Sequence, residues 1–482
     1  MPSLSSTPGV VSFEEARRIV EGHARRVREA VVKSGNFDTV DLSEARGRVL
    51  GETLLADRDF PPFARATRDG YAVRAADVKR VPVRLEVVGE IKAGSSADRF
   101  RLGAGQAISI MTGAPLPAGA DAVVMVEYTT VSSAVDSRDS DPNAPQNAML
   151  GNGTHSSLGG ASRARFIHVE RSVECGENFV PRGAEAGAGE ALVEAGRRLD
   201  HSLIAIAASA GKNRVQLFRQ PRVAVLSTGD EIVEVEATPG PAQIRNSNSY
   251  SLAAQIEEAG ADAVRLAIAP DEPRRLRELI LEGLNCDLLI LTGGVSMGKY
   301  DLVEQVLGEL GAEFYFTGAK IQPGKPVVFG TCRIETDRSN PNAAQNATLG
   351  WNAQGNRNAD ISRVGAPAVH SRYFLGLPGN PVSTMVTFRL FAEPLIAALA
   401  GALPASLVFL SARLKADVRT KIGLTRFLPA VISGEFADAE VELAAWQGSG
   451  DIAALARANC FLVVPPDRER IAAGESVAVM TR

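Results

Sequence analysis

The stretch Asp287–Asp301, Asp-Leu-Leu-Ile-Leu-Thr-Gly-Gly-Val-Ser-Met-Gly-Lys-Tyr-Asp, constrains the fold more than any other part of the chain. Leu288–Leu291 form a short unbroken apolar run, as a strand buried on both faces of a parallel sheet does. Thr292, Gly293 and Gly294 break the run, and from Asp301 onward apolar residues recur at helical spacing (Leu302, Val303, Val306, Leu307, Leu310). Strand, glycine-rich turn and helix in that order place the turn at the carboxyl end of a strand, where open α/β sheets bind ligands. Two glycines let the backbone approach a ligand closely, and free N–H groups at such a turn favour anions. The glycines alone are equally compatible with a tight turn in an ordinary α/β domain.

At 482 residues the chain has length for roughly three domains of ~150 residues. A net charge of −4 leaves no basic footprint for nucleic acid or an anionic membrane, so an anionic ligand must be held locally. Cys175, Cys286, Cys332 and Cys460 are widely spaced, with no metal-ligand pairing, as expected of reduced thiols in a cytoplasmic protein. The opening Met-Pro-Ser-Leu-Ser-Ser lacks the basic and apolar regions of a signal peptide, and no apolar run reaches the ~18 residues of a membrane span.

Taken in order, Ser12 with Glu15 forms a capping box. Phe13, Ala16, Ile19, Val20, Val27 and Val31 then predict a helix from about Phe13 to Lys33. Arg68-Asp69-Gly70-Tyr71 is turn chemistry before a strand. Short strands at Val83–Val88, Ala107–Met111 and Ala122–Val126, separated by Gly and Pro turns, predict a small β-rich domain. Residues 131–165 and about 335–371 lack periodicity and are rich in Ser, Asn and Gly, as inserted loops are. They share a segment, Pro142–Gly151 against Pro341–Gly350, identical at eight of ten positions. From Arg222 a β–α alternation reads as a doubly wound sheet: strands at Arg222–Leu226, Ala263–Ala269 and Phe314–Phe316, with a long apolar helix running to Leu399. Beyond Gly401 the pattern is strand-like to the end.

Three strand ends carry acids: Asp230 with Glu231, Asp271, and Asp301. In a parallel sheet all project from one edge. Several carboxylates beside a phosphate-binding turn suit a hard divalent cation such as Mg²⁺, which would bridge phosphate oxygens. Each acid has an ordinary alternative; Asp271 and Asp301 can both be helix caps, Asp271 before the helix that Pro273 begins. Lys320 and Lys325 add positive charge nearby in sequence, in a loop stiffened by Pro323 and Pro326.

Ser227-Thr-Gly-Asp-Glu231, Thr292-Gly-Gly-Val-Ser-Met-Gly298, Gln322-Pro-Gly-Lys-Pro326 and Leu377-Pro-Gly-Asn-Pro-Val-Ser383 resemble the molybdopterin molybdenumtransferases. That family includes bacterial MoeA, plant Cnx1 E and the gephyrin E domain. Asp69-Gly-Tyr-Ala72, Met111-Thr-Gly-Ala-Pro115 and Gln447-Gly-Ser449 extend the resemblance over nearly the whole chain outside the two insertions. It implies an α/β and β multidomain fold. A helix at 1–33 would pack on the α/β domain. Residues 34–59 with 183–207 would make a linking domain, 60–182 a small β-rich domain, 208–400 a doubly wound α/β molybdopterin-binding domain, and 401–482 a C-terminal β-barrel-like domain. It also implies a homodimer with its active site between subunits.

The reaction so implied takes adenylylated molybdopterin and molybdate, releases AMP and needs a divalent cation such as Mg²⁺. Asp69, Thr112, Glu231, Asp271 and Asp301 would be catalytic, with Glu231, Asp271 and Asp301 at the metal. Ser227, Thr228, Gly229, Gly293, Gly294, Ser296 and Pro323 would hold the pterin phosphate or nucleotide. Lys325, Arg426 and Ser449 would hold molybdate, since a tetrahedral dianion calls for fixed cationic and hydroxyl donors. An adenylyltransferase and an apo-molybdoenzyme are the partners implied. Gln322 stands where many members carry lysine, and Asn246 where an acid is common. A pterin-binding scaffold with little turnover, or an adenylyltransferase acting one step earlier, are the competing expectations.

Overall fold

The computed structural model describes residues 9–133, 165–294, 302–335 and 369–482. They fall into two compact units, residues 1–52 with 195–205 and 213–482, and residues 53–194 with 206–212.

Helix α1 spans Phe13–Ser34; Ser12 caps it by accepting from Glu15 N–H, and Gly35 closes it in the left-handed conformation. Its apolar stripe, Phe13, Ala16, Val20, Ala24 and Val27, is buried in the same core as the α/β sheet.

The second unit is built on a six-stranded sheet: β1 (Gly70–Val73), β2 (Val83–Ile91), β3 (Gln106–Ile110), β4 (Ala122–Met125), β5 (Thr129–Ser133) and β6 (Arg165–Val169), in the order β4-β1-β3-β2-β6-β5. Strands β5 and β6 pair antiparallel on either side of residues 134–164, so the first insertion replaces a hairpin turn. Such a position accepts extra chain because neither flanking strand loses its ladder.

Helix α2 (His201–Ser209) precedes the second sheet, which belongs to the first unit. Its elements are β7 (Arg222–Ser227), α3 (Ser247–Glu258), β8 (Asp262–Arg265), α4 (Pro273–Gly283), β9 (Leu288–Thr292), α5 (Leu302–Glu309), β10 (Glu313–Phe316), β11 (Ile321–Gln322), β12 (Val328–Glu335) and β13 (Val369–Leu377). The sheet order is β8-β7-β9-β13-β12-β10, with β11 outside it. Pairs β7/β8, β7/β9 and β9/β13 are parallel, whereas β12 and β10 continue the sheet antiparallel. Every residue of β9 is buried, which accounts for its unbroken apolar run. The chain passes from β7 outward to β8 and then returns to β9 on the other side, so the order reverses between β7 and β9. Strands β12 and β13 again form a hairpin around the second insertion.

Two sequence expectations shift here. The strand expected at Ala263–Ala269 is confined to Asp262–Arg265, after which the chain turns toward Pro270. Asp271 does not cap α4: the cap position belongs to Glu272, whose side chain makes no cap bond, because Pro273 has already set the first helical turn.

Helix α6 (Pro381–Leu399) is the one described helix long and apolar enough to cross a membrane by length and composition. Its apolar window is 67% buried, and Val382, Val386, Phe391, Leu395 and Ile396 fill the core beneath β9 and β13. The C-terminal strands β14 (Phe409–Leu414), β15 (Thr425–Ser433), β16 (Glu440–Leu443), β17 (Cys460–Val464) and β18 (Ser476–Thr481), with α7 (Ile452–Arg457) between β16 and β17, run in the order β15-β16-β14-β18-β17. Strand β17 pairs back onto β15, closing the barrel. Although β11 lies within the α/β segment of the sequence, it pairs parallel with β15 and so joins the barrel sheet.

Candidate functional site

The carboxyl ends of β7 and β9 meet at the strand-order reversal, where open α/β sheets hold ligands. Thr228 N–H donates to Thr292 O at 3.0 Å, and Gly229 N–H to Ala269 O at 3.1 Å, locking the turn after β7 to its neighbours on both sides. Gly293 and Gly294 adopt φ of 87° and 63°, the left-handed region that favours glycine. Space demands glycine as well: a Cβ on Gly294 would sit 2.6 Å from Thr228 Oγ1, and one on Gly293 would strike the Thr228 carbonyl. Thr228 Oγ1 is buried beside this turn and has no hydrogen-bond partner among the described residues. A buried hydroxyl without a partner costs about 1–3 kcal/mol, so among the described residues Thr228 Oγ1 is a donor open to a ligand at this anion-favouring turn.

The acids lie one strand over. Asp271 N–H donates to Asp230 Oδ1 at 3.0 Å, so the Asp230 carboxylate is spent on fixing the loop after β8. That leaves Glu231 and Asp271 as exposed carboxylates on adjacent strand ends. Among the described residues no group of three His, Cys, Asp or Glu side chains is gathered tightly enough to hold a metal. Asp301 and Ser296, both expected at the site, lie outside the described residues. The donor set that is present, all carboxylate oxygen and open to water, fits a hard divalent cation that keeps part of its hydration shell.

A third turn follows β13. Thr384 Oγ1 donates to Pro378 O at 2.6 Å, and Thr292 Oγ1 reaches the same carbonyl at 3.3 Å. A Cβ on Gly379 would lie 3.4 Å from Gly293 Cα, so the two glycine turns approach closely, with room for little more than a methyl group between them. Asn248, at the start of α3, donates its amide to Thr292 Oγ1 (3.0 Å) and to Gly379 O (2.7 Å). Asn246 accepts from Ser227 Oγ at 2.8 Å and caps α3 through Ser249 N–H. An amide performs that capping where an acid is common, and it accepts the Ser227 hydroxyl without adding negative charge. The expected substrate residue Ser227 is thereby buried and engaged by Asn246.

The barrel contributes the last part. Asn380 Nδ2 donates to Ser449 Oγ at 2.8 Å and Val382 N–H to Ser449 O at 3.2 Å, which places Ser449 against the N-terminus of α6. Gln322 and Arg426 are register partners in the β11/β15 pair, so the Gln322–Pro326 loop starts beside Arg426. Arg426 is 6% exposed, and burial pushes its guanidinium below the usual arginine range; its Nη1 donates to Leu424 O at 3.1 Å. Pro323 is buried and Lys325 exposed. Asp69 and Thr112 belong to the second unit, where Thr112 N–H donates to Asp69 Oδ1 at 2.7 Å and holds that carboxyl below its ordinary range.

Asn248, Thr292 and Asn380 tie the turns together, and sequence reasoning passed over their side chains. Their signal was present in Asn246-Ser-Asn248 after an apolar–basic pair and in the Asn of Leu377-Pro-Gly-Asn-Pro381, but nothing local names their partners.

Three family regions match the chain in succession. The MoeA N-terminal region (domain I and II) matches residues 11–211, the probable molybdopterin binding domain matches 224–398, and the MoeA C-terminal region (domain IV) matches 411–481. A molybdopterin molybdenumtransferase from Nostoc sp. is 33% identical over 369 residues, 76% of this chain and 70% of its own. One from Bacillus subtilis is 30% identical over 454 residues, 93% of this chain and 90% of its own. The crystal structure of a molybdopterin biosynthesis MoeA protein from Pyrococcus horikosii superposes with a TM-score of 0.60 at 29% identity, covering 98% of this chain and 99% of that one. A switch-point glycine site, a closed terminal barrel and full-length relatives agree: the chain belongs to the molybdopterin molybdenumtransferase family, the MoeA enzymes of molybdenum cofactor biosynthesis.

Proposed function

We propose that the protein takes adenylylated molybdopterin and molybdate, places molybdenum on the dithiolene sulfurs and releases AMP, with water or a molybdate oxygen supplying the oxygen that replaces the cleaved phosphoanhydride bond. The observation that carries this is the buried, unpartnered Thr228 hydroxyl against the Gly293–Gly294 turn. Thr228, Gly229, Gly293 and Gly294 would cradle the pterin phosphate or nucleotide, Ser227 would shape the turn, and Ser296 would add a hydroxyl. Lys325, Arg426 and Ser449 would hold molybdate. Pro323 would fix the loop that carries Lys325. The hydrogen bond from Asn380 to Ser449 supports one continuous site, because it joins the molybdate side to the turn that lies beside Gly293.

Glu231 and Asp271, with Asp301, would hold a divalent cation such as Mg²⁺. When bound, that cation would offset the charge of the phosphate oxygens. In a homodimer, Asp69 and Thr112 would complete the site from the other subunit; the short Thr112–Asp69 hydrogen bond supports an aimed, ionised carboxylate there. An adenylyltransferase would supply the substrate and an apo-molybdoenzyme would receive the product, all in the cytoplasm.

The test is AMP release by the purified protein given adenylylated molybdopterin, with and without molybdate and Mg²⁺, followed by reconstitution of an apo-molybdoenzyme. Release that depends on molybdate and yields active cofactor supports the transferase. Tight pterin binding without release favours a scaffold. Consumption of unadenylylated molybdopterin and ATP favours the earlier adenylylation step.

A further inference from the structure

Helix α1, the second half of α6 and residues 402–408 line a half-open cavity of about 460 Å³. That volume lies in the range of ~300–1,000 Å³ typical of small-molecule sites. It shares no residue with the strand-end site. Its floor is apolar, with Leu403 and Leu407 facing the alanine stripe of α6, and its wall carries Arg25 and Arg28 from α1 and Arg389 from α6.

The charges are unequal. Arg389 is committed to Glu393 through contacts of 2.6 and 2.7 Å, and Glu21 at the rim is committed to Arg17 at 2.9 Å. Among the described residues neither Arg25 nor Arg28 has a carboxylate within salt-bridge distance. Arg28 Nε and Arg389 Nε are both buried and lack a hydrogen-bond partner among the described residues. Arg28 is half-buried with its Nε inside the recess, whereas Arg25 stands exposed at the rim. A buried donor left unpaired beside apolar surface is costly unless something accepts from it. A planar carboxylate is the group that a guanidinium fork accepts best, and the apolar floor calls for a hydrocarbon body behind it.

We propose that this cavity binds a small amphipathic organic anion, its carboxylate on Arg25 and Arg28 and its hydrocarbon body against Leu403 and Leu407. The occupied cavity would brace the 402–408 connection, the covalent link from α6 into the barrel that carries Arg426 and Ser449.

Titration calorimetry on the full-length protein tests this with three eight-carbon probes. Octanoate should bind saturably at one site per chain, octan-1-ol about tenfold more weakly or worse, and octylamine not at all. The double variant Arg25→Gln/Arg28→Gln should fold normally by circular dichroism and lose the preference for octanoate over octan-1-ol. Ala397→Phe should fill the cavity and abolish binding of both. The proposal is overturned by absent octanoate binding, by equal affinity for octan-1-ol, or by octanoate binding that survives both variants.

Discussion

Asn248 donates its side-chain amide to Thr292 Oγ1 at 3.0 Å and to the Gly379 carbonyl at 2.7 Å, bridging the ends of β9 and β13 from the first turn of α3. One amide thereby sets the spacing of the two glycine turns that face the proposed pterin phosphate. Asn248→Asp replaces both donors with acceptor oxygens aimed at a hydroxyl and a carbonyl. Losing such a bridge costs about 1–3 kcal/mol, or roughly tenfold to a hundredfold in kcat/KM. The loss should appear mainly in KM for the pterin substrate, with the far-UV spectrum unchanged. An Asn248→Asp enzyme with wild-type KM would mean that the turns hold their spacing without the bridge.

Thr228 separates stability from binding. Its hydroxyl is buried without a partner among the described residues, so Thr228→Val should leave thermal stability unchanged or raise it, in contrast to most core substitutions. If the hydroxyl donates to substrate, affinity for adenylylated molybdopterin should fall by about tenfold, the loss of one hydrogen bond to a charged group. Calorimetry beside a melting curve distinguishes the cases. Lower stability with intact affinity would assign the hydroxyl to the fold.

The site's two halves were unequally legible in the sequence. The β9 run and its glycine turn could be read locally, because an unbroken run of four apolar residues means burial on both faces and paired glycines mean positive φ. The start of α1 was equally plain from Ser12 and Glu15. What failed was non-local. Asp271 stands before a proline-initiated helix and so looks like a cap. Only the fold shows Asp230 holding its backbone and Glu272 occupying the cap position. Likewise Ile321–Gln322 is too short to announce a strand, and its partner Thr425–Arg426 lies a hundred residues on, beyond any local pattern. Asn380 and Ser449 meet for the same reason: barrel closure, not sequence proximity, brings them together.

His23 predicts an acid-side stability limb. It lies on α1 against Tyr315, Phe329 and Tyr373, with Nδ1 3.2 Å from Tyr373 Oη. Burial, and secondarily the nearby Arg26 charge, hold its pKa down from 6.5 to about 4. The folded protein therefore keeps His23 neutral where the unfolded chain binds a proton. Stability from this group is complete above pH 6.5, declines as pH falls from 6.5 toward 4, and changes no further below that. His23→Phe cannot titrate, so its melting temperature should fall less than the wild type's across that interval. Parallel curves for the two proteins would remove His23 from the acid response.

Gln322 addresses molybdate directly. Its backbone pairs in register with Arg426, and its side chain is exposed at the start of the loop that carries Lys325. Gln322→Lys adds a second mobile cation beside two expected molybdate donors at a position where it displaces no buried group. An exposed charge of this kind contributes about 0.2–1 kcal/mol, so KM for molybdate should fall by roughly two- to fivefold at low salt. Because the added lysine is exposed, most of the gain should vanish at ~1 M salt, where the screening length is about 3 Å. A buried contact would persist, so the salt series also reports how the added charge acts. An unchanged molybdate KM at low salt would place the oxyanion away from this loop, and with it the role proposed for Lys325.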